Sequence, residues 1–423
     1  MNDTQDASQL VDHLFRHEAG RIVSALTRVF GLDRIELAED VVQEALLKAL
    51  QQWPYSGIPA NPSAWIMQVA RNHAFDILRH EQTLKSKETE VVNETLRNYA
   101  DENEMFLDNE IEDDQLRMMF ACCHPSLTPE SQIALTLKTL CGFGTAEIAR
   151  AFLVNEETIH KRLVRARQKL QEERAEFVIP LGKGLAPRLE AVLKALYLLF
   201  NEGYNASQGE DLIRKDLCEE AIRLSRLLAQ HPAGNTPKTH ALLALMLLHS
   251  ARFPARVTDN GLLLQLKDQD RSLWDSVLID EGLREMDASA EGDELSEYHL
   301  QAAIATCHCL AESYEDTEWS RILNLYDMLA EVNGSPVILL NRAIAISKVH
   351  GPEAGIRAVE EIRDRRHLDS YYLLYAVLGE LHMSLHHFEE AAKSYRKALE
   401  LTQVRTERMF LTDKLKALRQ SLN

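Results

Sequence analysis

The sequence predicts an all-α protein of several domains, and three observations support this prediction. Strong helix formers (Leu, Ala, Glu, Lys, Arg and Gln) dominate long stretches of the 423 residues. Twelve prolines and seventeen glycines are few helix breakers for this length. Apolar residues recur at helical spacing in most of these stretches. At roughly 100–200 residues per domain, the length corresponds to two to four domains.

Composition also excludes several classes of protein. The longest uninterrupted apolar run, Ala241–Leu248, is far shorter than the ~18–20 residues that span a bilayer. The N-terminus has no basic segment followed by an apolar stretch, so no secretory signal is visible. Six cysteines do not form a disulfide framework in a chain of this length. We therefore expect a cytoplasmic protein with no membrane partner.

Charge divides the chain into four blocks. The formal net charge of −18 combines −2 over residues 1–87, −10 over 88–114, +3 over 115–175 and −9 over 176–423. Affinity for DNA comes mostly from neutralised phosphates, so an acidic chain can bind DNA only through local basic faces.

The first block, residues 1–87, predicts a helix over Ile35–Leu50. Small and apolar residues form its buried side, and one polar, mostly acidic face lies opposite, because its members are three and four residues apart. That face consists of Asp40, Gln43 and Glu44.

A loop and a second helix complete this block. The loop follows Leu50 and is rich in proline, glycine and aromatic residues, among them Tyr55, and the helix runs from Ser63 to about His80. Aromatic rings beside basic groups suit single-stranded nucleic acid, although Trp65 could equally belong to the core. The aromatic, basic and amide candidates on this helix are Trp65, Arg71, Asn72, His73 and Arg79.

Residues 88–114 predict a linker, because eleven acidic residues and one arginine repel one another along it. Two interpretations stay open. The segment is either a solvated tether or an acidic strand that occupies a positively charged channel made for nucleic acid.

Residues 115–177 carry the strongest local pattern, a helix-turn-helix. Thr128, Thr145 and Asn155 each precede a helical stretch as N-caps, and only Leu153–Asn155 separate the second helix from the third. The third helix, from Glu156 to about Glu173, has a core stripe at helical spacing. The predicted core residues are Ile159, Leu163, Ala166 and Leu170.

The remaining faces of this third helix are basic, with five bases and no acid between Thr158 and Leu170. The first turns of a recognition helix enter the major groove, so we assign base-edge contacts to His160, Lys161, Val164 and Arg165. Phosphate contacts fall to Arg162, Arg167 and Lys169. Thr158 stands at the N-terminal end of the same surface.

Together these blocks resemble a bacterial RNA polymerase sigma factor. The motif DVVQEA at Asp40–Ala45, followed by AWIxxVARNxAxDILR at Ala64–Arg79, is similar to sigma region 2. The motifs TAEIA at Thr145–Ala149 and TIHKRLVRAR at Thr158–Arg167 are similar to region 4. Their order and spacing resemble those of the extracytoplasmic-function (group 4) subfamily, over about residues 10–175.

The resemblance implies a role for each block. The face of Asp40, Gln43 and Glu44 would dock on the β′ clamp of core RNA polymerase, and region 4 would also meet the β flap. Tyr55 and the helix from Trp65 to Arg79 would capture the melted −10 element of promoter DNA. The helix from Thr158 to Arg167 would read the −35 element.

Residues 185–423 predict a further run of amphipathic helices. Tyr375, Leu378, Gly379, Ala391, Tyr395 and Ala398 have the spacing of a tetratricopeptide repeat. One repeat cannot bury its apolar face alone, so we expect a helical solenoid with a protein or peptide partner. The chain then resembles the sigma subgroup that carries such an extension, which would modulate activity.

No motif indicates an enzyme or a cofactor. The chain has no phosphate-binding glycine loop, HExxH or GxSxG. Cys122-Cys123-His124 and Cys307-His308-Cys309 fall short of the about four ligands that zinc needs, so we predict packing roles and no metal. The alternative function is a helix-turn-helix regulator with a tetratricopeptide-type ligand or peptide receptor domain.

Overall fold

The protein was analysed as a computed structural model, which describes residues 18–84, 108–152, 154–179, 182–204, 213–258, 263–363 and 368–421. Within these ranges every regular element is helical, apart from an isolated antiparallel bridge between Val257 and Leu263. The predicted all-α class is therefore confirmed. None of the helices in the described ranges is long and apolar enough to cross a membrane.

The chain divides into two compact units, Met1–Leu199 and Phe200–Asn423. The described part of the first unit opens with α1 (residues 18–30), followed by α2 (Ile35–Ser56) and α3 (Pro62–Leu84). The predicted buried side of α2 is confirmed, and α3 also buries one side. The residues on these two sides are each at most 7% exposed: Ala38, Val42, Ala45, Ala49, Ile66, Ala70, Ala74 and Leu78.

Helix α2 extends six residues beyond the predicted end at Leu50 and contains Pro54. A proline this close to the C-terminal end of a helix disturbs little, because few turns follow it. Burial holds the extra turns in place, since Trp53 is only 3% exposed and its ring meets Trp65 edge-to-face with centroids 5.4 Å apart. The helix ends at Gly57, whose φ of +82° suits glycine and whose N–H donates to the Trp53 carbonyl.

The end of the predicted acidic linker is helical. Helix α4 spans Asp108–Cys122, so the last seven residues of the interval 88–114 are helical, and the interval up to residue 107 lies outside the described residues. Asp114 is fully buried and forms ion pairs with Arg28 at 3.1 Å and Arg117 at 2.7 Å. Pairing with two arginines offsets the cost of burying this carboxylate.

Three helices follow: α5 (Pro129–Thr139), α6 (Thr145–Ala151) and α7 (Glu156–Glu172). The predicted cap at Thr128 is confirmed, because its side chain accepts from the N–H of Ser131. The predicted cap at Thr145 is wrong by one residue. Thr145 is already helical, and the N–H of Gly144 donates to the Glu147 carboxylate at 2.8 Å.

Helix α8 (Leu185–Tyr204) crosses the boundary between the two units. Eleven helices follow it in the described part of the second unit. They are α9 (Lys215–Gln230), α10 (Pro237–Ser250), α11 (Phe253–Arg256), α12 (Ser276–Ser289), α13 (Glu297–Leu310), α14 (Trp319–Val332), α15 (Pro336–His350), α16 (Pro352–Glu360), α17 (Tyr372–Ser384) and α18 (Phe388–Leu401), and α19 (Arg405–Ser421) ends the described chain.

Helices α17 and α18 coincide with the predicted repeat. A Cβ on Gly379 would lie 2.5 Å from the Tyr395 ring, so only glycine allows the two helices to approach this closely. Ala391, Tyr395 and Ala398 are fully buried, and the Tyr395 hydroxyl donates to Glu380 at 2.7 Å. This pair of helices therefore packs through the residues that the repeat pattern selected.

The cysteines of both candidate metal motifs lie in the core or at its edge. Cys122 and Cys123 are fully buried, and burial raises the pKa of both thiols, that of Cys123 to about 12. Protonated thiols are poor metal ligands. Among the described residues, no group of three or more His, Cys, Asp or Glu side chains could hold a metal ion.

Candidate nucleic-acid interface

Helix α7 is positioned by its cap and by its core stripe. The Asn155 side chain accepts hydrogen bonds from the backbone N–H of Thr158 at 2.8 Å and from its hydroxyl at 2.7 Å. Ile159, Leu163, Ala166 and Leu170 are at most 3% exposed, which confirms the predicted core face. These contacts fix the rotation of the helix about its own axis and therefore fix which side chains point outward.

The outward side of α7 presents a base-reading face, which we define as His160, Lys161, Val164 and Arg165. All four are exposed. Lys161 pairs only with Glu157 one turn earlier, at 2.7 Å on an open surface, where such a pair contributes little stability. Arg165 has no hydrogen bond or ion pair with any residue in the described ranges. The face can therefore meet a DNA groove without breaking a costly contact.

Two arginines assigned to phosphate contacts are engaged within the protein. Arg162 lies over the Phe152 ring, with its guanidinium carbon 5.3 Å from the centroid. Arg167 forms ion pairs with Glu36, at 3.1 Å, and with Glu39 of α2. Because its side chain is only 14% exposed in this arrangement, Arg167 is not free to meet a phosphate. Its assignment as a DNA contact stays a prediction that requires these ion pairs to break.

Glu39 joins α2 to the helix-turn-helix, a role that no local pattern in the sequence indicates. Its side chain is mostly buried, pairs with Arg167, and accepts a hydrogen bond from the Thr139 hydroxyl at 3.0 Å. Burial raises the pKa of the Glu39 carboxyl, and Arg167 opposes that shift without cancelling it. Nearby, the Gln171 side-chain amide donates to the Asp33 carbonyl at 2.7 Å.

A close backbone approach accompanies these polar contacts. A Cβ on Gly20 of α1 would lie 2.1 Å from the carbonyl oxygen of Leu140, which follows α5. No side chain fits at that distance, so glycine is required for α1 to touch this part of the chain. We call the set of Gly20, Leu140, Glu39, Thr139 and Arg167 the closed contact.

The polar face of α2 lies one turn beyond the residues of the same helix that bind Arg167, since Asp40 and Gln43 come four residues after Glu36 and Glu39. Asp40, Gln43 and Glu44 are all exposed, whereas the adjacent Glu39 points inward. Glu44 also pairs with His73 of α3 at 2.7 Å. The structure thus brings a residue of the predicted polymerase-binding face and a residue of the predicted −10 set into direct contact.

The other predicted −10 residues lie along the end of α2 and along α3. Tyr55 is 93% exposed, while Trp65 is half-buried against Trp53. Arg71 donates to the Gln68 side chain, which donates in turn to Asn72, each at 3.0 Å. Arg79 pairs with Asp76 at 3.4 Å on the surface. Trp65 therefore has both a packing role and an accessible edge, and the two interpretations of the sequence are not exclusive.

Comparison with known proteins identifies three segments. Residues 14–83 match the family described as Sigma-70 region 2, and residues 117–170 match the family described as Sigma-70, region 4. Residues 188–290 match a family of unknown function, DUF6596. An uncharacterized protein of Rhizobium meliloti (strain 1021), R00370, is 39% identical over 385 residues, which cover 90% of this chain and 89% of the relative. No solved structure matches the chain.

Proposed function

We propose that this chain directs promoter-specific initiation of transcription as a sigma factor of the extracytoplasmic-function type. The premise is that the chain belongs to the sigma-70 family of RNA polymerase sigma factors. The observation that carries the proposal is the exposed base-reading face of α7 within region 4. The Asn155 cap and the buried side of this helix hold it in place. Core RNA polymerase and promoter DNA are the partners that regions 2 and 4 imply. Such a protein acts in the cytoplasm and leaves catalysis to the polymerase.

Each exposed set then has a role. Asp40, Gln43 and Glu44 form the docking face, which binds the β′ clamp. Tyr55 and the set on α3 receive the melted −10 strand, because aromatic rings stack on unpaired bases and nearby cations pair with phosphates. The base-reading face enters the major groove at the −35 element, and the β flap holds region 4 there.

The closed contact has to open before both promoter elements are bound. The two elements lie about 25 base pairs apart, which is about 85 Å of duplex at 3.4 Å per pair. At 1.5 Å per residue, α2 and α7 measure about 33 and 26 Å, so regions joined through Glu39 and Arg167 cannot span that distance. Opening also frees Arg167, the predicted phosphate contact.

Run-off transcription with purified core polymerase on a library of promoter fragments tests the proposal. The chain should produce discrete transcripts that core polymerase alone does not make, and these transcripts define the −35 sequence. Absence of any transcript dependent on this chain, with a known sigma factor active in the same assay, would contradict the proposal.

Replacing Arg165 by alanine should weaken binding to the −35 duplex by about 1–3 kcal/mol if its guanidinium makes a bidentate contact with a base. Fluorescence anisotropy with the −35 duplex and with a scrambled duplex measures the effect. The exposed Gln168→Ala on the same helix is the control. Equal losses on both duplexes would assign Arg165 to a phosphate instead.

The C-terminal half is proposed to be a tetratricopeptide-like solenoid that modulates the sigma activity through a protein or peptide partner. The close packing of Gly379 on Tyr395 supports the repeat, as do the helix pairs that precede it. The alternative of a helix-turn-helix regulator with a receptor domain gives no role to residues 14–83, which match sigma region 2.

Removing the second unit tests this modulation. Truncation should follow Tyr204 and not the loop near Gly182, because α8 belongs largely to the first unit and Arg188 in it donates to the Phe120 carbonyl at 3.4 Å. We expect the fragment 1–204 to give at least about tenfold less transcript than the full chain, because we propose that the second unit is required. A rise in transcript would reverse the sign and make the second unit an inhibitor.

A further inference from the structure

The second unit contains a cavity that the proposed sigma function does not use. Its volume is about 730 Å³, and α14, α15 and α17 form most of its wall. Small-molecule sites typically have volumes of ~300–1,000 Å³ and are lined by apolar and aromatic side chains with a few polar groups. This cavity has both properties.

The wall arises from helical periodicity. Trp319, Ile322 and Tyr326 lie three and four residues apart on α14 and line the cavity together. Asn341 and Lys348 do the same on α15, seven residues apart. Side chains at such spacings share one face of a helix, so each helix contributes a continuous stripe to the cavity.

Two cations of the wall have no carboxylate partner. Lys348 forms no ion pair with any described residue, and its Nζ lies 5.5 and 5.9 Å from the ring centroids of Tyr314 and Trp319. Arg252 makes one long hydrogen bond, 3.4 Å to the Gln269 side chain, and its buried Nε has no acceptor in the described part of the chain. A buried donor without an acceptor is uncommon and calls for a partner such as a ligand, which applies to the Arg252 Nε. Lys348 is solvent-exposed and contributes a charge that no described carboxylate neutralises.

His308, also in the wall, is a neutral group with an open nitrogen. Burial, together with Arg252 and Arg271, lowers the pKa of its imidazole to about 3. Its ring meets Trp319 edge-to-face at 5.5 Å, and its Nδ1 has no hydrogen-bond partner among the described residues. A neutral imidazole adds a polar contact without adding charge.

The two carboxylates of the wall, by contrast, have partners of their own. Glu380 pairs with Lys414 at 2.6 Å and accepts from the Tyr395 hydroxyl. Burial would raise the pKa of Glu380, but these partners outweigh it and hold the pKa below its usual range. Burial raises the pKa of Glu407, which accepts from Tyr372 and Thr402. The cavity therefore offers unpaired positive charge within residues 176–423, which carry 28 basic and 37 acidic residues.

We propose that this cavity binds a small organic anion with an aromatic or planar apolar body. The acidic group of the ligand pairs with Lys348, with Arg252 as the second cation of the wall. The body of the ligand packs against the aromatic side chains of α14. The site is a receptor for a small molecule, and its existence does not depend on the sigma function.

Two naphthalene dyes test the charge preference on the full-length chain without polymerase or DNA. The probes are 1-anilinonaphthalene-8-sulfonate, which is anionic, and N-phenyl-1-naphthylamine, its uncharged analogue, each titrated by fluorescence. We expect saturable binding of the anionic dye at one site per chain. Lys348→Gln should weaken binding of the anionic dye by about tenfold or more, because the charge pair is lost. The affinity for the neutral dye should stay within about twofold of that of the unchanged chain.

Three further variants make the result specific. Lys348→Arg should restore the affinity for the anionic dye. Lys397→Gln, at an exposed position of α18, should leave the affinity for both dyes unchanged. Asn341→Trp, at an exposed position of the wall, should weaken both dyes by filling the cavity. Anionic-dye affinity that is unchanged by Lys348→Gln and Asn341→Trp would overturn the proposal. A second result would also overturn the proposal. If an acidic undecapeptide displaces the anionic dye at concentrations at which 1-naphthoate does not, the site is a peptide groove and not a small-molecule site.

Discussion

The double variant Asp40→Lys/Gln43→Lys is expected to lose stable binding to core RNA polymerase, with an affinity at least about a hundredfold weaker. Placing like charges across an interface costs several kcal/mol, and each 1.4 kcal/mol is a factor of ten in affinity. Both side chains are exposed, and Asp40 has no ion pair with a described residue, so the fold should lose less than about 0.5 kcal/mol. The loss would therefore be a loss of docking.

Glu44 is left unchanged in this variant for a structural reason. Its carboxylate pairs with His73 at 2.7 Å, so reversing its charge would disturb α3 and the predicted −10 set at the same time. A change at Asp40 and Gln43 leaves the Glu44–His73 pair and the predicted −10 set intact.

Co-elution of the chain with core polymerase in size-exclusion chromatography, followed by titration of a fluorescent chain with the polymerase, measures the effect. The matched control is Glu400→Lys/Gln403→Lys, which makes nearly the same change of charge on exposed residues near the C-terminal end. Undiminished co-elution of the Asp40→Lys/Gln43→Lys variant would remove the docking assignment, whereas equal losses in both variants would indicate a nonspecific charge effect.

Local pattern was sufficient to predict the recognition helix. The Asn155 cap, the buried stripe from Ile159 to Leu170 and the exposed positions of Lys161 and Arg165 all depend on residues within one or two helical turns. Such short-range relations are determined by helical periodicity and by cap chemistry, both of which can be read from the sequence.

Partners distant in sequence could not be predicted in the same way. Arg167 resembles a solvent-exposed base in its own helix, but its carboxylate partners Glu36 and Glu39 lie 131 and 128 residues earlier. Asp114 falls within the predicted acidic linker, and only the fold reveals its ion pair with Arg28, which lies far earlier in the chain. Charge patterning along the chain treats each block separately and does not identify pairs between blocks.

The candidate ligand cavity illustrates the same limit within one unit. Each contributing stripe on α14, α15 and α17 is visible as helical spacing, but any such stripe is equally compatible with a core face. Only the arrangement of the helices shows that the stripes surround an open volume and that Lys348 and Arg252 line it.

Gly20→Ala should open the closed contact between regions 2 and 4. In a helix interior this substitution normally stabilises the helix by about 0.5–1 kcal/mol. Here the added Cβ would lie 2.1 Å from the Leu140 carbonyl oxygen, and that oxygen belongs to backbone that cannot rotate away. The helices must separate, which should weaken the contact by about 1–3 kcal/mol while α1 itself remains intact.

Hydrogen–deuterium exchange distinguishes the opening of the closed contact from the stabilisation of α1 itself. We expect faster exchange at the end of α5 and at the start of α2, and unchanged or slower exchange within residues 18–30. The control is Gly334→Ala, where the nearest atom to the new Cβ is 3.4 Å away, an ordinary contact distance. That variant should leave exchange in both regions unaltered.

Opening should also change how the chain binds DNA, because it releases Arg167 from Glu36 and Glu39. One further cation then becomes available for a phosphate, so binding to a −35 duplex should tighten and its dependence on salt should steepen by about one in the slope of log K against log[salt]. Arg167→Ala in the Gly20→Ala background should remove this gain. The opposite outcome is that hydrogen–deuterium exchange shows the contact open in Gly20→Ala, but the variant binds DNA with the same affinity and the same salt dependence as the unchanged chain. In that case Arg167 holds region 4 on region 2 and does not contact DNA.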